Sequence, residues 1–89
     1  MKIRTQDARQ YLEYGEIYAE YSYDGKGATV YARSRFHNGA LFAGAYEDMT
    51  RAKGVLYEVD LAYQAGQRVF YMPPSDKEAE ARNCAPVPW

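Results

Sequence analysis

Cysteine, histidine and tryptophan each occur once in these 89 residues, and their scarcity excludes several kinds of protein. A lone Cys84 cannot close an internal disulfide, so a disulfide-framed small domain is ruled out. One Cys and one His cannot make a tetrahedral zinc site without several carboxylates, and neither a metal nor a cofactor is expected. No stretch approaches the roughly 18 apolar residues that a membrane helix requires. Met1 to Gln10 also lacks the apolar run of a secretory leader. The expectation is a soluble chain in a reducing cytoplasm with no membrane association. An excess of charge of one sign is missing too. Eleven basic residues face twelve acidic ones for a net charge of -1, and the densest basic cluster is only Arg33 with Arg35. That balance carries neither the basic footprint of a nucleic-acid binder nor the strong acidity of a nucleic-acid mimic.

Catalytic motifs are equally scarce. His37, within Phe36-His37-Asn38-Gly39, has the chemistry of a general base near neutral pH, but an Asn-Gly turn reads as a solvated loop. Cys84 lies among prolines with no base beside it and reads as an incidental thiol. Glu16 with Glu20, and Glu58 with Asp60, are same-face carboxylate pairs of the sort any alternating strand produces. Gly25-Lys26-Gly27 lacks the strand-loop-helix setting of a phosphate-binding loop and reads as a hairpin turn. No catalytic residue is assigned, and the chain is not expected to be an enzyme. A small enzyme using His37 and a carboxylate ranks behind both binding readings given below.

What is present is pattern. A chain this short buries roughly 64% of its extended surface, which makes one domain with a thin core. Residues 1–74 are read as a single α+β domain and 75–89 as a polar, proline-containing tail. Thr5 as N-cap, Asp7 in the first turn and Ala8, Tyr11 and Leu12 on one face predict a helix over about 6–14, stopped by Gly15. From Ile17 the period becomes two, with Ile17, Ala19, Tyr21 and Tyr23 opposite Glu16, Tyr18, Glu20 and Ser22. The turn at 24–27 then returns the chain as Ala28 to Arg35, a hairpin. Leu41, Ala45, Met49 and Ala52 predict a second helix over about 40–53, capped by Gly54, although Gly44 leaves 40–46 open to strand or loop. Val55, Tyr57, Val59, Leu61 and Tyr63 alternate as a central strand, with Arg68 to Met72 as its hairpin partner and Pro73-Pro74 ending the pairing. Ser75 and Glu78 are spaced as a capping box. The predicted fold is therefore α+β: a four-stranded antiparallel sheet of two hairpins, with an N-terminal helix and a middle helix on one face.

Ten tyrosines stand out. Tyrosine favours strands and sits well half-buried, yet it also supplies the rigid amphipathic contact area found in interfaces. Alternation separates the two uses. Tyr21, Tyr23, Tyr57 and Tyr63 share a side with Val and Ile and are read as core or core rim. Tyr18 and Tyr31 share the opposite side with Glu20, Arg33 and Arg35, the composition of a protein-binding patch. Tyr14 at the helix end extends it, and Trp89, behind Pro86-Val87-Pro88, offers a terminal aromatic anchor. The expected function is that of a small non-catalytic protein-binding module. It would be an inhibitor or adaptor that blocks or bridges a larger complex, of the type carried as accessory factors by phages and mobile elements. The partner is another protein, and a homodimer is compatible with the sequence. The alternative is single-stranded nucleic acid bound through exposed tyrosines and arginines.

Overall fold

A computed structural model of the chain describes residues 1–23, 25–33 and 39–75. Among these described residues six strands and one helix follow one another: β1 (Lys2–Arg4), β2 (Tyr11–Glu13), β3 (Glu16–Tyr21), β4 (Ala28–Arg33), β5 (Ala40–Tyr46), α1 (Met49–Gln64) and β6 (Val69–Tyr71). They make two three-stranded sheets, ordered β2-β1-β6 and β3-β4-β5. The α+β class matches the expectation, but the single four-stranded sheet and the two helices do not. The anticipated hairpin is present, pairing Ile17 with Ala32 and Ala19 with Val30. Its faces fall as the alternation requires, with Ala28, Val30 and Ala32 buried.

The first correction concerns residues 6–14, where the structure holds a loop and β2 rather than a helix. The local hydrogen bonding of Thr5 is real, but it closes a turn. Its hydroxyl donates to Asp7 Oδ1 at 2.6 Å and accepts from Gln10 N–H at 3.3 Å. Ala8 takes a left-handed φ of 60°, which no helix interior tolerates. Long-range pairing decides the matter. Leu12 lies opposite Ile3 in the β1–β2 ladder and both are buried, whereas a short helix with so narrow an apolar stripe would bury less.

The second correction concerns residues 40–64. Residues 40–46 take the strand alternative that Gly44 leaves open, pairing antiparallel with β4. The alternating run from Val55 to Tyr63 is helical. Buried Ala52, Val55, Val59 and Ala62 recur at three and four residues and pack on the second sheet, while Tyr57 and Leu61 face outward. Asp48 Oδ1 caps this helix by accepting from Arg51 N–H at 2.7 Å. The stop is Gly66, at φ 77°, and Gly54 lies inside the helix. A Cβ built at Gly54 meets no atom within 4 Å. Gly54→Ala should therefore stabilise the protein by about 0.5–1 kcal/mol, seen as a higher urea midpoint at unchanged slope.

The third correction follows from the second. Residues 68–72 do contain a strand, but its intended partner is helical, and β6 instead pairs parallel with β1, with Phe70 beside Ile3. Met72 N–H still donates to the Arg4 carbonyl at 3.1 Å. Pro73 and Pro74 then end pairing as expected, since neither has an N–H. One core joins Ile3 and Leu12 of the first sheet, Val30, Ala32 and Ala43 of the second, Ala52, Val55 and Val59 of α1, and Met72.

Candidate protein-binding faces

With α1 packed on one side of the second sheet, the other side carries the odd members of the β4 alternation. Glu16 lies opposite Arg33, Tyr18 opposite Tyr31, and Glu20 opposite Thr29. On the far flank Phe42 lies opposite Tyr31. Tyr18, Tyr31 and Phe42 therefore form an aromatic row straight across three strands. The Tyr18 and Tyr31 rings are tilted by 32° with centroids 5.8 Å apart, a geometry favourable for aromatic pairs. The Arg33 guanidinium sits 5.7 Å from the Tyr18 ring centre, within cation–π range. A bulge in β5 places two residues, Ala43 and Gly44, on the core side, so Phe42 before it and Ala45 after it both face outward.

Four of the residues singled out from sequence, Tyr18, Glu20, Tyr31 and Arg33, thus share this face. Tyr14 does not. Its ring stacks on Tyr63 of α1, with centroids 4.1 Å apart and planes 15° apart, which draws it to the helix side. Arg35 and Trp89 lie outside the described residues, as do His37 and Cys84. Phe42 was missed because a helix over 40–53 hid its alternation with Leu41 and Ala43. The core assignment of four tyrosines also fails. Tyr21, Tyr23, Tyr57 and Tyr63 are 67%, 109%, 66% and 51% exposed. Tyr21 ends β3 and Tyr23 lies in the turn after it, Tyr57 rides the outer side of α1, and Tyr63 stands on the helix flank against Tyr14. Tyr46 is the buried one of the ten. Glu58 and Asp60, two apart on a helix, do not share a face.

The first sheet has an outer face of its own that the sequence did not reveal. Arg4 in the central strand lies opposite Tyr11 on one side and beside Tyr71 on the other. Its guanidinium carbon is 5.9 Å and 5.7 Å from the two ring centres. Next along the strand, Lys2 Nζ pairs with Glu13 at 2.7 Å. That hydrogen bond, aided by the lysine charge, holds the Glu13 carboxyl below its usual range. The Thr5 hydroxyl, followed by the Arg9 N–H, does the same for Asp7. Beside Arg4 a groove of about 450 Å³ runs between Ala8 and the Tyr71-Met72-Pro73-Pro74 segment. The signal for this face lay in Lys2-Ile3-Arg4 and Tyr11-Leu12-Glu13, two short polar-apolar-polar triplets.

No His/Cys/Asp/Glu grouping able to hold a metal occurs among the described residues, and none of their helices is long and apolar enough to cross a membrane. The chain matches no protein-family model, no curated protein and no solved structure.

Proposed function

We propose that this chain is a protein-binding module, an inhibitor or adaptor, that docks on a larger protein through the outer face of its β3-β4-β5 sheet. The observation that carries the reading is the Tyr18–Tyr31–Phe42 row. Its three aromatics are set by strand register rather than by loops, so little side-chain freedom is lost when a partner covers them. Arg33 with Glu16 at one end of the face and Glu20 at the other place charged side chains around this aromatic centre, the arrangement of an interface core within a polar rim. Rim charges of this kind orient a partner more than they strengthen binding.

Single-stranded nucleic acid is the competing ligand, because Tyr18 with Arg33 is also a base-stacking arrangement. Glu16 and Glu20 on the same face oppose it by repelling phosphates. The test is affinity capture with a tagged chain from its host, quantified against the Tyr18→Ala/Tyr31→Ala/Phe42→Ala triple variant, followed by binding to the captured protein in purified form. Loss of three exposed or half-exposed aromatics should weaken the purified interaction by at least about 100-fold with circular dichroism unchanged. Equal binding by a folded triple variant would overturn the reading. Saturable binding of a labelled oligothymidine at low salt, lost in the same variant, would replace the protein partner with nucleic acid.

A further inference from the structure

We propose that the groove beside Arg4 on the other sheet is a second binding site, one that takes a carboxylate side chain of an extended peptide segment. Arg4 is the reason. Its guanidinium lies between two tyrosine rings and has no hydrogen-bond acceptor or carboxylate among the described residues. A guanidinium so held presents a planar fork of donors that matches a carboxylate in bidentate geometry. Strand register places the two tyrosines on either side of Arg4, so their rings are at hand to hold the guanidinium.

The surroundings select the class of anion. Lys2 is paired with Glu13, and Asp7 with Arg9 contributes one charge of each sign to the adjoining loop, while among the described residues lining the groove Arg4 carries the charge. A polyphosphate or nucleic-acid backbone brings several negative charges into contact with Glu13 and Asp7, whereas one carboxylate meets one cation. The groove's walls are apolar at Tyr71, Met72, Pro73 and Pro74. Proline and tyrosine surfaces suit the flanking residues of an extended chain. At about 450 Å³ the space lies within the usual range for a small binding cleft and admits a few peptide residues.

The rim is built to keep its shape. Ala8 holds its left-handed backbone inside a loop bonded across it: Arg9 N–H donates to Asp7 Oδ1 at 3.1 Å, Gln10 N–H to the Thr5 hydroxyl at 3.3 Å, and Ala8 N–H itself to the Thr5 carbonyl at 2.9 Å. A non-glycine residue in that conformation is strained and persists where its surroundings over-determine it, commonly at ligand clamps.

The experiment is an NMR titration of the isotope-labelled full chain with three probes: a capped hexapeptide alternating glycine and glutamate, its glutamine counterpart, and inorganic phosphate. The glutamate peptide should shift the Arg4 Nε resonance and the amides of Ala8, Tyr11 and Tyr71. The glutamine peptide should bind at least about tenfold more weakly. Arg4→Gln should abolish the response while leaving the amide spectrum of the second sheet in place. Arg4→Lys, which keeps the charge and loses the fork, should retain a reduced response. The Tyr18→Ala/Tyr31→Ala/Phe42→Ala variant should bind the peptide as the parent does, so that this site stands or falls apart from the other face. Absence of binding at millimolar peptide, equal binding by the two peptides, or an undiminished response in Arg4→Gln would overturn the proposal. So would saturation of the same amides by phosphate at lower concentration, which would make this an inorganic-anion site.

Discussion

Ile3→Ala should cost about 2–5 kcal/mol of folding stability, out of the roughly 5–15 kcal/mol that a small domain commands. The reason is how little each strand of the first sheet contributes. β1, β2 and β6 are three residues each, so each turns a single side chain inward. Those three are Ile3, Leu12 and Phe70, in register across the sheet, and Ile3 is central and 0% exposed. Truncating it removes the contact shared by the other two and leaves a cavity that neighbouring short strands cannot refill without breaking their ladder. Urea unfolding measures the total. Hydrogen exchange locates the loss: amides of Lys2, Tyr14 and Met72, which donate to Arg68, Met1 and Arg4 carbonyls, should lose protection before those of β4. A cost under about 1 kcal/mol, or uniform loss of protection, would show that the first sheet is not held by this residue.

Tyr46→Ala is expected to be as damaging, at about 3–5 kcal/mol, by analogy with the truncation of other large buried rings. Tyr46 is 4% exposed, its hydroxyl donates to the Pro73 carbonyl at 2.8 Å, and the Arg51 guanidinium sits 5.7 Å from its ring centre. It ties β5 to the segment that ends β6. Tyr46→Phe separates ring from hydroxyl and should cost only about 0.5–1.5 kcal/mol. The cost is small because the Pro73 carbonyl keeps a second donor, Gln6 Nε2 at 3.2 Å. Calorimetric or urea unfolding of the two variants checks the ratio. If Tyr46→Phe cost as much as Tyr46→Ala, the hydrogen bond rather than the packing would be the dominant contribution. Gly44 belongs to the same arrangement, since a Cβ there would stand 3.0 Å from the Tyr46 hydroxyl.

The parts of this fold that were legible in sequence are those in which one period holds over a whole element and both faces differ in polarity. The β3–β4 hairpin meets both conditions, and from it the grouping of Tyr18, Glu20, Tyr31 and Arg33 followed. The helix failed the test for a physical reason. Its buried stripe is half alanine, Ala52 and Ala62 beside Val55 and Val59, so the exposed Tyr57, Leu61 and Tyr63 dominated the apolar signal and, with Val55 and Val59, made a period of two against Leu56, Glu58, Asp60 and Ala62. Small residues let a helix approach a sheet closely, but they weigh little in a reading by hydrophobicity. The first sheet was hidden by the shortness of its strands. A three-residue strand offers a single inward residue, too little for a period, and the partner that rescues β1 lies at the far end of the domain. Thr5 illustrates the same limit on a smaller scale: its tendency to bond nearby backbone was correctly recognised, yet a cap and a turn use the same hydroxyl.

The parallel pairing of β1 with β6 also sets an order of assembly. The second sheet is a meander of sequence neighbours, closed through short connections, and can form early. The first needs Lys2 to meet Val69, a ring closed over most of the domain, and such distant contacts come late and slowly. During synthesis the aromatic row of Tyr18, Tyr31 and Phe42 can therefore be in place while Arg4 still has only one of its two tyrosines. The groove is complete only once Tyr71 and the two prolines after it have been added, so the two faces are finished at different moments in the life of the chain.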